Sequence, residues 1–246
     1  MATEKALALV VRGTDWSETS RIATLFTREF GKVRALAKGG RRIRSNFEVA
    51  FDLLSICHVV FIRKDSGGLD LLTEARLEER FPHLRNDLHA LYVGYYVAEL
   101  LGDGTQDYDP HPELFDAACD TLRALADPGD RPGCVSAFEL VWLKHLGYSP
   151  RIDTCAGCAA DVLRPEIRVS YSPTAGGVLC PDCSGRERDQ QPLSTAARSA
   201  LRELAAGVPV LPAAVRREVR QLLGLTVSSV LGRRPRMLGY LDGGSQ

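Results

Sequence analysis

The stretch KVRALAKGGRRIRS, residues 32–45, combines a strand pattern with a high local positive charge. Small apolar residues at Val33, Ala35 and Ala37 alternate with larger or charged ones, as in a half-buried β-strand. The pair Gly39-Gly40 then interrupts the pattern. The stretch carries no carboxylate, and its cations are Lys32, Arg34, Lys38, Arg41, Arg42 and Arg44.

Two explanations of this charge remain open at this point. A run of cations is ordinarily a solvated surface strip. A charged strand that leads into a charged loop also suits a polyanion, because Lys and Arg that neutralise phosphates release condensed counterions.

Four other runs have the character of strands. They cover residues 5–13, 20–27, 51–63 and 69–79, and clusters of Gly, Asp, Ser and Asn separate them. The run at 20–27 also has helix-forming propensity, so its assignment stays open. Five strands within the first 80 residues predict a small barrel, and the OB-fold is the commonest five-stranded barrel that binds nucleic acid.

From residue 81 the apolar spacing changes to three and four, which predicts helices. One predicted helical stripe consists of Leu84, Leu88, Leu91, Tyr95, Ala98 and Leu101. Further helices are predicted near 114–125, 134–145, 194–207 and 213–232, with Ser194 as an N-cap. The predicted fold class is α+β: an OB-fold barrel at 1–80, a helical domain at 81–150, a four-cysteine insert at 151–190 and closing helices at 191–246.

The length of 246 residues exceeds one typical domain, and no apolar run reaches the roughly 18 to 20 residues that span a membrane. The N-terminus lacks the features of a secretion signal. These observations predict a soluble cytoplasmic protein that does not associate with membranes.

Overall neutrality, with 31 basic and 31 acidic residues, conceals a strong partition of charge. The net charge is +3 for residues 1–80, −8 for residues 81–130 and +5 for residues 131–246. A phosphate responds to the field within about one Debye length, so a neutral chain can still bind nucleic acid. The acidic middle is expected to face away from a polyanion.

Four of the seven cysteines form two CxxC pairs, Cys155 with Cys158 and Cys180 with Cys183, with 21 residues between the pairs. This spacing predicts a tetrahedral thiolate site for one structural zinc ion, because each tight turn directs two sulfurs at one metal. A redox pair is the alternative. Four thiolates fill the zinc coordination shell, which leaves no position for an activated water.

Motifs that carry catalysis are missing from the sequence: it has no GxxxxGK[ST] phosphate loop, no dinucleotide GxGxxG, no HExxH and no GxSxG. A nucleotide cofactor is therefore not expected, and we predict that the protein is not an enzyme. Several carboxylates could in principle hold magnesium but are better explained as solvated surface: Asp103, Asp107, Asp109, Asp116 and Asp120.

The order of these parts resembles the bacterial RecO family of recombination mediators over nearly the whole chain. The resemblance is carried by SETSRIATLFTREFGKVRALAKGGRR (17–42), LYVGYYVAELL (91–101), FELVWLKHLGYSPRIDTCAGC (138–158), SPTAGGVLCPDC (172–183) and LGRRPR (231–236). Several stretches in the right order are more specific than any single motif.

The resemblance implies an OB-fold that binds single- and double-stranded DNA and anneals strands without nucleotide hydrolysis. It implies RecR and single-strand-binding protein as partners, and help in loading the recombinase in the RecF pathway of DNA repair at the nucleoid. By motif match, the implied DNA contacts are Lys32, Arg34, Lys38, Arg41 and Arg42, with Arg44 in the same run. The four cysteines match the zinc ligands, although that site is not universal in the family.

The barrel has few aromatic residues for base stacking, and most of them are expected in the core: Trp16, Phe26, Phe30, Phe47, Phe51 and Phe61. This favours binding through the DNA backbone. Two alternatives from other classes remain. One is a zinc-ribbon nucleic-acid enzyme such as a nuclease, which magnesium-dependent cleavage would reveal. The other is a transcriptional regulator, which would need a base-reading helix that the sequence does not show.

Overall fold

In the computed structural model of the protein, the described residues are 2–38, 52–64, 67–129, 131–164 and 166–242. Their contacts define two compact units, residues 1–126 with 239–246, and residues 127–238. None of the described helices is both long and apolar enough to cross a membrane.

The first unit begins with five strands: β1 (Ala2–Asp15), β2 (Arg21–Thr27), β3 (Gly31–Ala37), β4 (Ile56–Arg63) and β5 (Asp70–Glu79). They form a closed barrel in the order β1-β2-β3-β5-β4, with β4 paired to β1. All neighbouring strands are antiparallel except β3 and β5. The predicted OB-fold is confirmed, and the run whose assignment was open is strand β2.

The barrel interior combines small and large side chains, as a narrow closed barrel requires. Alanines on β1, β2 and β3 face inward beside the bulkier Phe61 and Leu72, and all of these residues are buried. The small residues leave the space that one aromatic ring on β4 fills. The limited volume of the barrel interior thus explains why the inward positions of β3 carry small apolar residues.

Strand β4 begins later than predicted, at Ile56 instead of residue 51. The backbone N–H and the hydroxyl of Ser55 both donate to the carbonyl of Asp52, at 3.2 and 2.5 Å. These two bonds close a turn, and within it the Leu54 N–H still donates to the Val10 carbonyl of β1 at 3.0 Å. The regular strand register with β1 starts after the turn, where Ile56 lies opposite Leu9.

Three helices follow the barrel in the first unit: α1 (Pro82–Asn86), α2 (Leu88–Gly104) and α3 (Pro112–Ala124). The predicted continuous stripe from Leu84 to Leu101 is wrong. Asp87 is extended and caps α2 by accepting a bond from the Ala90 N–H at 2.9 Å, so α1 and α2 are separate helices. Leu88 is 63% exposed, whereas the buried side of α2 carries Ala90, Val93, Gly94, Tyr96, Val97, Ala98, Leu100 and Leu101.

The second unit contains α4 (Arg131–His145), β6 (Val169–Ser172), β7 (Gly177–Leu179), β8 (Gln191–Leu193), α5 (Thr195–Ala205) and α6 (Arg216–Leu231). A 3-10 turn (Ala213–Val215) precedes α6. A short helix α7 (Leu238–Asp242) follows α6, and from residue 239 onward it belongs to the first unit. Helix α4 packs with α5 and α6. Ser194 caps α5, as predicted, by accepting a bond from the Ala197 N–H at 3.1 Å.

The contacts group α1 to α3 with the barrel and α4 with the closing helices. The predicted helical domain is therefore shared between the two units. The boundaries proposed at residues 80, 150 and 190 stay predictions.

Candidate nucleic-acid interface and metal centre

Strand β3 presents an apolar side to the barrel interior and a cationic side outward. Val33, Ala35 and Ala37 are fully buried, whereas Arg34 and Lys38 are exposed. Within the described ranges, no carboxylate lies at ion-pair distance from either of these two cations. Both cations are exposed on the outward side of β3, where an anionic ligand can approach them.

Lys32 lies on the same outward side but has a different environment. Its ammonium donates to the carbonyls of Gly102 and Thr105 at 3.0 and 2.6 Å, and it lies 3.3 Å from a carboxylate oxygen of Asp107. The side chain is only 13% exposed. The last carbonyls of a helix lack partners within it and carry partial negative charge, so Lys32 caps the C-terminal end of α2.

Other cations of the barrel are also paired with carboxylates. Arg12 lies 2.8 Å from Asp103 of α2. The Arg28 guanidinium donates two bonds of 2.9 Å to Asp116 of α3, which lowers the pKa of that carboxyl below its usual value. Arg21 pairs within the barrel, with Asp15 at 2.6 Å. Carboxylates of residues 81–130 thus neutralise some of the cations of the barrel.

The predicted surface carboxylates follow the same pattern. Asp109 lies 3.0 Å from His111, and Asp120 lies 2.9 Å from Arg123, which also binds Glu79. Across the portion of the chain that the structure describes, the four-cysteine group is the one cluster whose ligand atoms could share a metal. The acidic residues serve as ion-pair partners.

Three predicted DNA contacts, Arg41, Arg42 and Arg44, lie outside the described residues. The basic site can therefore be described only along β3. The prediction for these three residues is untested.

Trp16 differs from the expectation that most barrel aromatics are core. Phe26 and Phe61 are fully buried as expected, but Trp16 is 63% exposed just beyond β1. Its backbone N–H donates to the Ser20 carbonyl at 3.0 Å, which closes the turn into β2. The polar sequence of this turn, SETS, was the signal that Trp16 lies at a hairpin tip outside the core.

The four predicted metal ligands converge in the second unit. The sulfurs of Cys155, Cys158, Cys180 and Cys183 all lie within 4.8 Å of one another. Cys158 Sγ and Cys180 Sγ are 3.7 Å apart. Tetrahedral coordination at the usual Zn–S length of about 2.3 Å requires a sulfur separation of about 3.8 Å. The cluster is thus positioned to bind a metal ion, and its geometry fits zinc.

The backbone around the cluster favours thiolates. Burial disfavours the charged form of Cys155, but N–H groups of Cys180, Cys158 and Gly157 stabilise it, and its pKa falls to about 6. One of these bonds is 3.3 Å, from the Cys180 N–H to Cys155 Sγ. Hydrogen bonding to Cys158, followed by burial, raises the pKa of Cys183 to about 12. A bound divalent cation would hold all four cysteines as thiolates, including Cys183, whose pKa is raised in its absence.

Local structure explains how two distant CxxC pairs meet. The Ala156 N–H donates to the Val178 carbonyl at 2.7 Å, which places the first pair against strand β7. Cys180 follows β7 directly. A side chain at position 157 would lie 3.1 Å from Cys183 Sγ, so Gly157 keeps the two turns close together.

The segment that carries the four cysteines, residues 151–183, also contacts α5 and α6. Arg198 of α5 is buried and donates to the carbonyls of Val162, Leu163 and Arg164. The hydroxyls of Tyr171 on β6 and Thr226 on α6 lie 2.9 Å apart. Buried contacts therefore anchor the segment in addition to any metal.

Comparison with known proteins gives a consistent result over the chain. Residues 1–81 match the family model described as recombination protein O N terminal, and residues 85–238 match recombination protein O C terminal. The chain is 36% identical to the DNA repair protein RecO of Rhodopirellula baltica, over 96% of this chain and 97% of that protein. It is 36% identical to that of Anaeromyxobacter sp. (strain Fw109-5), over 97% and 95%, and 32% identical to that of Roseiflexus sp. (strain RS-1), over 96% and 83%.

Proposed function

The chain belongs to the recombination protein O family, and from this membership we propose that it is a DNA-binding recombination mediator in DNA repair. It binds single- and double-stranded DNA through the outward side of β3 and the basic run that follows. The observation that carries the proposal is the pair of exposed cations Arg34 and Lys38, for which the described residues provide no carboxylate.

The proposed phosphate-binding set is Arg34, Lys38, Arg41, Arg42 and Arg44. Lys32 is left out because its ammonium is already bound by two carbonyls and shielded from solvent. Contacts to phosphate are independent of sequence, so the site should accept unrelated DNA sequences equally.

The proposal extends from binding to annealing and to partners. Counterion release favours the binding of two DNA strands to the basic surface of one protein. Bringing the strands together in this way supports annealing without nucleotide hydrolysis. RecR and single-strand-binding protein are the proposed partners, with RecR assisting recombinase loading. Both come from family membership, and failure of either to co-purify with the protein would argue against it.

Zinc is the proposed metal of the four-cysteine centre, bound by Cys155, Cys158, Cys180 and Cys183. Four sulfur ligands at tetrahedral separation favour zinc over oxygen-seeking cations such as magnesium. The proposed role is structural, since a complete thiolate shell offers no position for substrate.

The test is fluorescence anisotropy of labelled single- and double-stranded oligonucleotides of unrelated sequence over a salt series. Arg34→Ala/Lys38→Ala should lower affinity for every oligonucleotide and reduce the log–log salt slope by about 0.7 to 0.9 for each phosphate that the variant no longer neutralises. Adding Arg41→Ala and Arg42→Ala should enlarge both effects. Thermal melts should show a folded protein, because surface substitutions change stability by only about ±0.5 kcal/mol each.

A matched control removes the same charge from another face of the barrel. Lys5 and Arg76 are exposed on β1 and β5, and Lys5→Ala/Arg76→Ala should bind DNA as the unchanged protein does. An unchanged slope in the folded quadruple variant would return the basic run to an ordinary solvated strip. Cleavage of the same oligonucleotides with Mg²⁺ would instead favour the nuclease alternative.

A further inference from the structure

The outward side of the β1-β2-β3 sheet carries an exposed aromatic residue and exposed cations on one surface. Cross-strand pairing places Arg12 opposite Thr24 and Thr24 opposite Arg34. The next row on this side contains Thr14, Ile22 and Leu36 in register, of which Thr14 is exposed and Ile22 is buried. Trp16 directly follows β1 and Lys38 directly follows β3, so both residues lie just beyond these rows, and both are exposed.

Trp16 and Lys38 therefore lie at the same end of the barrel. The backbone N–H of Trp16 bonds to Ser20, and Arg21 pairs with Ala37 immediately before Lys38. Two strand spacings separate the first and third strands, which corresponds to roughly 10 Å. This distance is within the reach of a single nucleic-acid strand that contacts both residues.

The charge of the hairpin tip between β1 and β2 does not favour DNA binding. Asp15 is paired with Arg21, and the tip itself carries the carboxylate of Glu18. The tip therefore offers an aromatic ring, while the cations of β3 offer charge. An aromatic ring beside a cationic strand is the combination with which proteins bind unpaired bases.

We propose that Trp16 stacks on an unpaired base and gives the protein a preference for single-stranded DNA. The inference rests on the proposed DNA binding and adds a base contact to the phosphate contacts of β3. Duplex bases are already stacked and shielded, so the ring has no equivalent partner there. Stacking is tolerant of sequence, because every base has an aromatic face.

The experiment compares a single strand, a duplex and an abasic single strand of equal length by anisotropy. Trp16→Ala should weaken single-strand binding by about 5- to 150-fold, equivalent to one stack of about 1 to 3 kcal/mol. Duplex and abasic-strand affinity should not change, and the salt slope should stay that of the unchanged protein. Trp16→Phe should restore part of the affinity.

Leu88→Ala is the matched control, because Leu88 is as exposed as Trp16, at 63%, and lies in the same compact unit. It should leave all three affinities unchanged. The chain has only two tryptophans, and Trp142 is fully buried, so single-strand binding should quench the emission of Trp16. In Trp16→Phe this quenching should disappear.

Two results would overturn the stacking role: Trp16→Ala binding the single strand as tightly as Leu88→Ala does, or losing affinity equally for the abasic strand. Either result would leave DNA binding itself intact. Failure of the proposed function is distinguishable, since the unchanged protein would then bind none of the three ligands.

Discussion

Lys32 and Arg34 are separated by one residue on β3 and share its outward side, yet their surroundings differ. Lys32 bonds to the carbonyls of Gly102 and Thr105 at the end of α2, whereas Arg34 is exposed. The first cation therefore contributes to folding and the second is available to a ligand. A substitution at each position should separate these roles.

Lys32→Met keeps the aliphatic stem and removes the ammonium, so the helix carbonyls lose a charged donor. We expect the free energy of unfolding to fall by about 1.5 to 3 kcal/mol, the range for hydrogen bonds to charged groups. Arg34→Ala should change it by no more than about 0.5 kcal/mol. Urea denaturation of both variants measures these differences.

DNA binding should respond in the opposite way. Arg34→Ala should reduce the log–log salt slope by about 0.7 to 0.9, and Lys32→Met should leave it unchanged. An equal reduction of the salt slope in both variants, with Lys32→Met as stable as the unchanged protein, would show that Lys32 contacts phosphate.

The period-2 pattern predicted which side of β3 faces outward, because alternation depends only on local geometry. It could not distinguish Lys32 from Arg34, because the partner of Lys32 lies some 70 residues further along the chain. Trp16 shows the same limit. Composition favours a buried tryptophan, whereas its place in a tight turn between β1 and β2 keeps it exposed.

At the scale of elements, helix α4 is joined to α6 by an ion pair between Glu139 and Arg220. Glu139 is fully buried, and the Arg220 side chain is 12% exposed. Removing one partner of a buried pair costs about 3 to 5 kcal/mol, because the remaining charge stays desolvated. The cost should therefore depend on which charge remains.

We expect Arg220→Met to destabilise the protein more than Glu139→Met, because the fully buried carboxylate cannot reach water while the guanidinium can. Glu139→Met/Arg220→Met should cost less than Arg220→Met alone, because neither charge of the pair is then left desolvated. A double-mutant cycle by urea denaturation gives the coupling energy. Strictly additive effects would show that the two side chains act independently.

The helices themselves were predictable from apolar spacing, but their separations were not. The spacing of leucines from Leu84 to Leu101 reads as one helix. In the structure Asp87 divides it, because Asp87 lies after the end of α1 and caps the start of α2. Capping is a local competition between side chain and backbone that apolar periodicity does not record. The cysteine spacing, in contrast, predicted the full metal cluster, since two tight turns fix the directions of four sulfurs.

At the scale of the whole molecule, the proposed DNA site and the metal centre belong to different compact units. Strands β1 to β3 lie in the unit of residues 1–126 with 239–246, and all four cysteines lie in residues 127–238. Each unit has its own buried core. Loss of the metal should therefore disturb the second unit and leave DNA binding by the barrel in place.

Cys180→Ser removes one of the four sulfurs, and chelation removes the metal from the unchanged protein. Both should increase hydrogen exchange around residues 151–183, because a structural metal orders its own segment. Buried Tyr171 and Arg198 continue to anchor that segment, so it should loosen without unfolding the unit completely. Cys134→Ser, in α4 and outside the cluster, controls for loss of a thiol and should retain the metal.

DNA affinity and salt slope should be the same in Cys180→Ser, Cys134→Ser and the unchanged protein, because none of these changes alters β1 to β3. Metal content should fall only in Cys180→Ser, as measured by elemental analysis of the purified proteins. A purified unchanged protein without metal and with all four thiols freely titratable would contradict the proposed zinc centre. Loss of DNA binding in Cys180→Ser, with the barrel still folded by hydrogen exchange, would show instead that the metal unit contributes directly to the DNA-binding surface.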